Sequence, residues 1–119
     1  QDASGSNSST PAQIEQGRAK VWLSLNGTGT IAIRDSFNVS SVTDNSTGQY
    51  IVNIDTDMAD ANYCIQVSGG NAAGTGTGSW NAIYDDATTL VGSVRVSFYS
   101  NGGSSQDNEQ VMVTIFGDQ

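Results

Sequence analysis

Three aspartates, Asp55, Asp57 and Asp60, lie close together in the chain, and Asp85 and Asp86 adjoin one another. Carboxylates at alternate positions supply oxygen ligands to a hard cation such as calcium. The EF-hand spacing and its distal Glu are missing, so solvated turn aspartates are the expectation here. Cleavage of a glycosidic bond needs two carboxyl groups facing each other across a groove. Glu15 and Glu109 are the only glutamates, and no pattern pairs either with an Asp. The chain has no His, which removes the commonest general base and the usual imidazole of a nucleophilic triad. Cys64 is the sole cysteine, so it forms no internal disulfide and no thiolate metal cage. Without an imidazole partner it is expected to be a small buried apolar residue. The Gly-Thr-Gly repeats at 27–30 and 74–78 lack the Lys and strand-to-helix setting of a phosphate loop. The expectation is a protein without enzymatic activity, metal or cofactor.

Aromatic side chains offer a different chemistry. Trp22, Trp80, Tyr84 and Tyr99 present faces on which sugar rings can stack. Trp80 and Tyr84 border the Gly-rich stretch 69–79 and are therefore the candidate ligand-binding residues. Asn7, Asn26, Asn38 and Asn45 each begin an Asn-x-Ser/Thr sequon, although all four are ordinary turn formers.

The elements that must position these groups are written in the composition. In 119 residues, the 14 Gly, 16 Ser, 11 Thr and 10 Asn sum to 51, with a single Pro at Pro11. Ser, Thr and Asn compete with helical hydrogen bonds and Gly weakens helices further, so this is a β composition rich in turns. Four cations against 12 carboxylates leave a formal charge of −8. Nucleic acid and anionic membranes, which require clustered cations, are poor partners for it. No apolar run approaches the length of a membrane-spanning helix.

Residues 1–13 lack periodicity and read as a flexible arm, with a weakly supported helical turn over 14–20; the arm or linker is assigned to 1–18 and the folded domain to 19–119. Period-two alternation then predicts about seven strands. Val21, Leu23 and Leu25 mark the first. Ile31, Ile33, Phe37 and Val39 define one face of the second, with a bulge or bend at Asp35. Residues 43–48 form a turn-rich connection, followed by a strand through Tyr50, Val52 and Ile54. After a corner at 58–62, Tyr63, Ile65 and Val67 alternate with Cys64, Gln66 and Ser68. A weaker strand covers 80–84. The last two strands carry Val94, Val96 and Phe98, then Val111, Val113 and Ile115, joined by a polar hairpin loop over 101–108. The prediction is an all-β antiparallel sandwich, jelly-roll-like or Greek-key.

This alternation leaves Trp22, Ala32, Met112, Phe116 and Tyr99 facing away from the core. A sheet apolar on both sides must cover its outer face, and another copy of the same chain is the economical cover. Trp22, Met112 and Phe116 are accordingly the candidate subunit interface.

The segment 19–54, A-K-V-W-L-S-L-N-G-T-G-T-I-A-I-R-D-S-F-N-V-S-S-V-T-D-N-S-T-G-Q-Y-I-V-N-I, resembles a module common in bacteriophage virion proteins, frequent among marine phages. That module typically reads A-K-A-W-V-N-F-N-G-T-G-T-V-A-I-R-x-S-F-N-V-S-S-I-T-D-N-G-T-G-x-Y. The likeness extends weakly through Met58 and Asp60 to Tyr63, about 45 of 119 residues in all. It departs at Ser24 (usually Asn), Ser46 (usually Gly) and Ala59 (often Pro). The resemblance implies a structural protein of the virion exterior, of tail-fibre type and homotrimeric, with no catalytic residues to carry over. Its implied partners are sister copies and other virion proteins, with host surface glycan a further possibility. A capsid decoration protein is the alternative, for which an arm of about 13 residues spanning roughly 40 Å would lace onto a neighbour. A carbohydrate-binding adhesin module using Trp80 and Tyr84 is the third reading.

Overall fold

The computed structural model describes residues 5, 8–70, 81–84, 86–100 and 102–119, with the backbone alone at 81–84 and 86. A short helix, α1 (Pro11–Gly17), precedes the strands β1 (Val21–Asn26), β2 (Ala32–Phe37), β3 (Val39–Ser46), β4 (Gln49–Ile54), β5 (Cys64–Gly70), β6 (Asn81–Tyr84), β7 (Ser93–Tyr99) and β8 (Gln110–Phe116). They form two antiparallel four-stranded sheets, ordered β2-β1-β8-β5 and β3-β4-β7-β6. The expected all-β sandwich is present.

The core lies between the sheets and follows the alternation. Val21, Leu23 and Leu25 on β1 and Val111, Val113 and Ile115 on β8 face Tyr50, Val52 and Ile54 on β4 and Val94, Val96 and Phe98 on β7. Every second side chain of a strand falls on one face, so these four strands furnish most of the apolar layer, to which Met58 and Tyr63 are added. Two tyrosines anchor opposite ends of it. Tyr50 is fully buried, and its hydroxyl donates to the Gly27 carbonyl (2.8 Å) with Asp107 Oδ1 at 3.2 Å. Burial and the Asp107 carboxylate both raise its pKa far above the ordinary phenol value. Tyr63 donates to the Leu90 carbonyl (2.6 Å), and burial pushes its pKa up to about 12.

Several local expectations are corrected. The run from Ile31 to Val39 is divided at Asn38, whose φ of 57° turns the chain from the first sheet to the second. Asn tolerates this left-handed conformation, and its side chain fixes the crossing. Asn38 Oδ1 accepts from Thr56 N (2.7 Å), while Nδ2 donates to the carbonyls of Lys20 and Thr56 (3.2 and 3.0 Å). The connection expected over 43–48 is mostly strand: β3 runs to Ser46, and only Thr47 and Gly48 (φ 69°) make the turn. The segment expected as a hairpin loop over 101–108 instead passes between sheets, because β7 and β8 pair with different neighbours. α1 begins earlier than the expected 14–20 turn. Thr10 and Gln13 close a capping box and Pro11 opens the first turn, a combination that pre-organises a helix start.

Candidate functional site

The first sheet's outer face is built by register. Trp22 lies opposite Phe37 on β2 and Thr114 on β8; Ser24 lies opposite Asp35 and Met112; Cys64 on β5 lies opposite Phe116. Side chains directly opposite in an antiparallel pair share a face, so Trp22, Met112 and Phe116 share this one, as expected. Trp22 is 37% exposed, and Met112 and Phe116 are half-buried. Tyr99 is half-buried on the other sheet, and Ala32 is exposed.

Phe37 is the residue that the alternation misassigned. Its expected place was with Ile31, Ile33 and Val39 on the core side, yet it is 52% exposed beside Trp22. The reason is a bulge. The pairing of β1 with β2 slips between Ser24 and Leu25, where Ser24 meets Asp35 and Leu25 meets Ile33, leaving Arg34 as the extra residue. One inserted residue reverses the face of everything after it. Asp35, singled out as a disruption of the pattern, was the available signal. Ile33 stays opposite Leu25 but remains 40% exposed because β2 is the edge strand.

Trp22, Phe37, Arg18 and Ala19 line an open groove of about 450 Å³. Its cationic lip is Arg18, which pairs with Glu15 one helical turn earlier at 3.0 Å. Both partners are largely exposed, so the pair is readily exchanged for another. Beneath α1 sits Lys20, only 1% exposed. Its ammonium donates to the carbonyls of Glu15 (2.5 Å) and Arg18 (3.2 Å) and lies 3.4 Å from the Glu15 carboxylate. These carbonyls close the helix's C-terminal end, where a cation is favoured. Lys20 thus ties the arm to the rim of the groove. Arg34, paired with Glu109 at 3.9 Å and donating to the Leu25 carbonyl, lies toward the other end of β1 and away from this groove.

Other candidate positions do not converge on this groove. Cys64, expected to be buried, is exposed as a free thiol. Its strand places it outward, opposite Phe116, while Tyr63 beside it turns inward. Asp55, Asp57 and Asp60 are all exposed, and Asp60 Oδ1 accepts from Asn62 N (2.7 Å), an ordinary aspartate turn. Among the described residues no group of three potential ligands is placed to hold a metal. Trp80 lies outside the described residues, as does the side chain of Tyr84, whose backbone pairs with Val96. Among the described residues no helix is long and apolar enough to cross a membrane.

Sequence reasoning also passed over a second exposed apolar site. Leu90 and Val91, in the turn before β7, are 56% and 40% exposed. The signal was present as two large aliphatic residues directly preceding Gly92 in a turn. Comparison of the chain with family models, with curated proteins and with solved structures gives no match.

Proposed function

We propose that this chain is a non-enzymatic structural module of a bacteriophage virion exterior, of tail-fibre type, acting as a homotrimer whose copies cover the outer face of the first sheet. The observation that carries the self-association is the pair Trp22 and Phe37, side by side and each partly exposed, on a face that also presents Met112 and Phe116. Contiguous apolar surface of this kind marks an interaction site on an otherwise soluble protein. The virion assignment draws on the likeness of residues 19–54 to the phage module. An acidic surface rich in Ser, Thr and Gly suits an exposed, inert component. Electron microscopy of intact particles labelled with an antibody to the chain tests this reading. Label on the tail supports it, and particles free of label contradict it.

One observation favours the alternative of a capsid decoration protein. α1 buries no residue of its own against the sandwich, and Ile14 is 60% exposed. An element so placed suits an arm that docks on a neighbouring subunit, and label on the head would decide for it.

A further inference from the structure

The large hydrophobic residues exposed among the described ones are Ile14, Trp22, Ile33, Phe37, Leu90 and Val91. Apart from Ile14 on α1 and Ile33, which the bulge keeps on the core side of the edge strand opposite Leu25, they divide into two patches of opposite character. Trp22 and Phe37 line an open groove whose lip is Arg18. Leu90 and Val91 form a turn whose surroundings are acidic. Met58 N donates to the Val91 carbonyl, Ile54 N donates to that of Gly92, and the Asp57 carboxylate lies against Gly92, where an added Cβ would come within 2.8 Å of it. Asp55 and Asp60 extend the negative charge on either side in sequence and are likewise exposed.

We propose that the turn of one copy, Leu90 and Val91, seats in the Trp22–Phe37 groove of the next, with Asp57 facing the neighbour's Arg18. This rests on the self-association proposed above and specifies its geometry. A three-fold ring requires a heterologous contact, in which two different patches meet, because an isologous patch closes at two copies. The two patches meet that requirement in charge. The groove is shallow and apolar with Arg18 at its lip in a chain of net charge −8, and the turn is apolar with acidic surroundings. Opposite charge at the rim fixes orientation and steers encounter, while the desolvated aromatic and aliphatic centre supplies most of the affinity. Arg18 is free to turn outward, since its exposed pairing with Glu15 holds it only weakly.

Mixing two assembly-deficient variants tests this contact by sedimentation. A groove variant, Trp22→Ser with Phe37→Ser, and a turn variant, Leu90→Ser with Val91→Ser, are each expected to weaken association by about 30-fold or more. Each retains one intact patch, so an equimolar mixture is expected to form a one-to-one pair and to stop there. A charge exchange supplies an arm that leaves the apolar residues intact: Arg18→Asp or Asp57→Arg alone weakens the trimer, and the two together in one chain restore it. If the turn variant still forms the wild-type trimer, the contact is overturned while self-association stands. If both variants are monomeric and the mixture forms no pair, the contact is again overturned. If the unaltered chain is monomeric at every concentration, both this contact and the self-association beneath it fail.

Discussion

The two sheets present the same apolar layer inward and opposite surfaces outward. On the second sheet the outward positions of β4 and β7 are Gln49, Ile51 and Asn53, then Ser93, Arg95, the buried Ser97 and Tyr99, so that Ile51 and Tyr99 are the large apolar side chains among them. Polar groups there find partners within the sheet: Asn53 Nδ2 donates to Ser41 Oγ (3.0 Å) and Thr43 Oγ1 (3.2 Å) across the β3–β4 pair. The first sheet carries Trp22, Phe37, Met112, Phe116 and Cys64 in equivalent positions, interspersed with Ser24, Asp35, Thr114, Gln66 and Ser68. A surface whose hydrogen bonds close on itself needs no partner, whereas exposed aromatic rings gain free energy when another surface removes them from water. The inner face specifies the fold, and the proposed self-association gives the difference between the outer faces a reason.

Breaking the shared layer should have the largest effect. Phe98 is fully buried and its ring lies 6.1 Å from that of Tyr50. Phe98→Ala is expected to lower stability by about 3–5 kcal/mol in denaturant unfolding, because the cavity adds to the lost burial. The loss should be felt by both sheets together.

Alkaline pH acts next, through the two tyrosines at the ends of the core. Both have folded pKa values raised above the ordinary 10, so the unfolded chain releases its protons first. Their stabilisation is complete below pH 10 and is lost as pH climbs, at about 1.4 kcal/mol per pH unit for each tyrosine. For Tyr63 the window closes near pH 12. Unfolding midpoints measured from pH 8 to 12 should fall above pH 10, and Tyr63→Phe should make that fall shallower. Equal slopes in the two proteins would contradict the role given to its burial.

The contrast between the faces is sharpened by paired surface substitutions. Asn53→Ala should cost at most about 1 kcal/mol and leave association untouched. Trp22→Ser should lower the stability of the isolated chain by about 1–3 kcal/mol, because most of the indole is covered within the chain, and should in addition diminish self-association. Parallel melting and light-scattering measurements check both, and loss of association in the Asn53 variant would erase the distinction.

Much of this arrangement was readable from the residues alone. Strict alternation along Val21–Leu25, Tyr50–Ile54, Val94–Phe98 and Val111–Ile115 identified the inward set, because a half-buried strand permits little else. It also identified Trp22, Met112 and Phe116 as outward-facing. What escaped depends on single-residue geometry or on long-range pairing. The inserted Arg34 moved Phe37 to the outer face, and the positive φ of Asn38 sent the chain into the other sheet. Sheet order, which separates β7 from β8, is a tertiary choice that local pattern does not encode. Lys20 is polar by type and on an outward position, and only the fold of α1 over it explains its burial. Two buried side-chain atoms of Asn108 have no hydrogen-bond partner among the described residues, and nothing in its sequence surroundings announces that placement.

Sedimentation equilibrium of the unaltered chain beside Trp22→Ser, over a wide range of concentration at neutral pH, bears most directly on the outer face. A species of three times the 12.4 kDa chain mass for the former, shifted toward the single-chain mass by the substitution, is the predicted result. A lone subunit at every concentration, or a trimer indifferent to the loss of that indole, would contradict it.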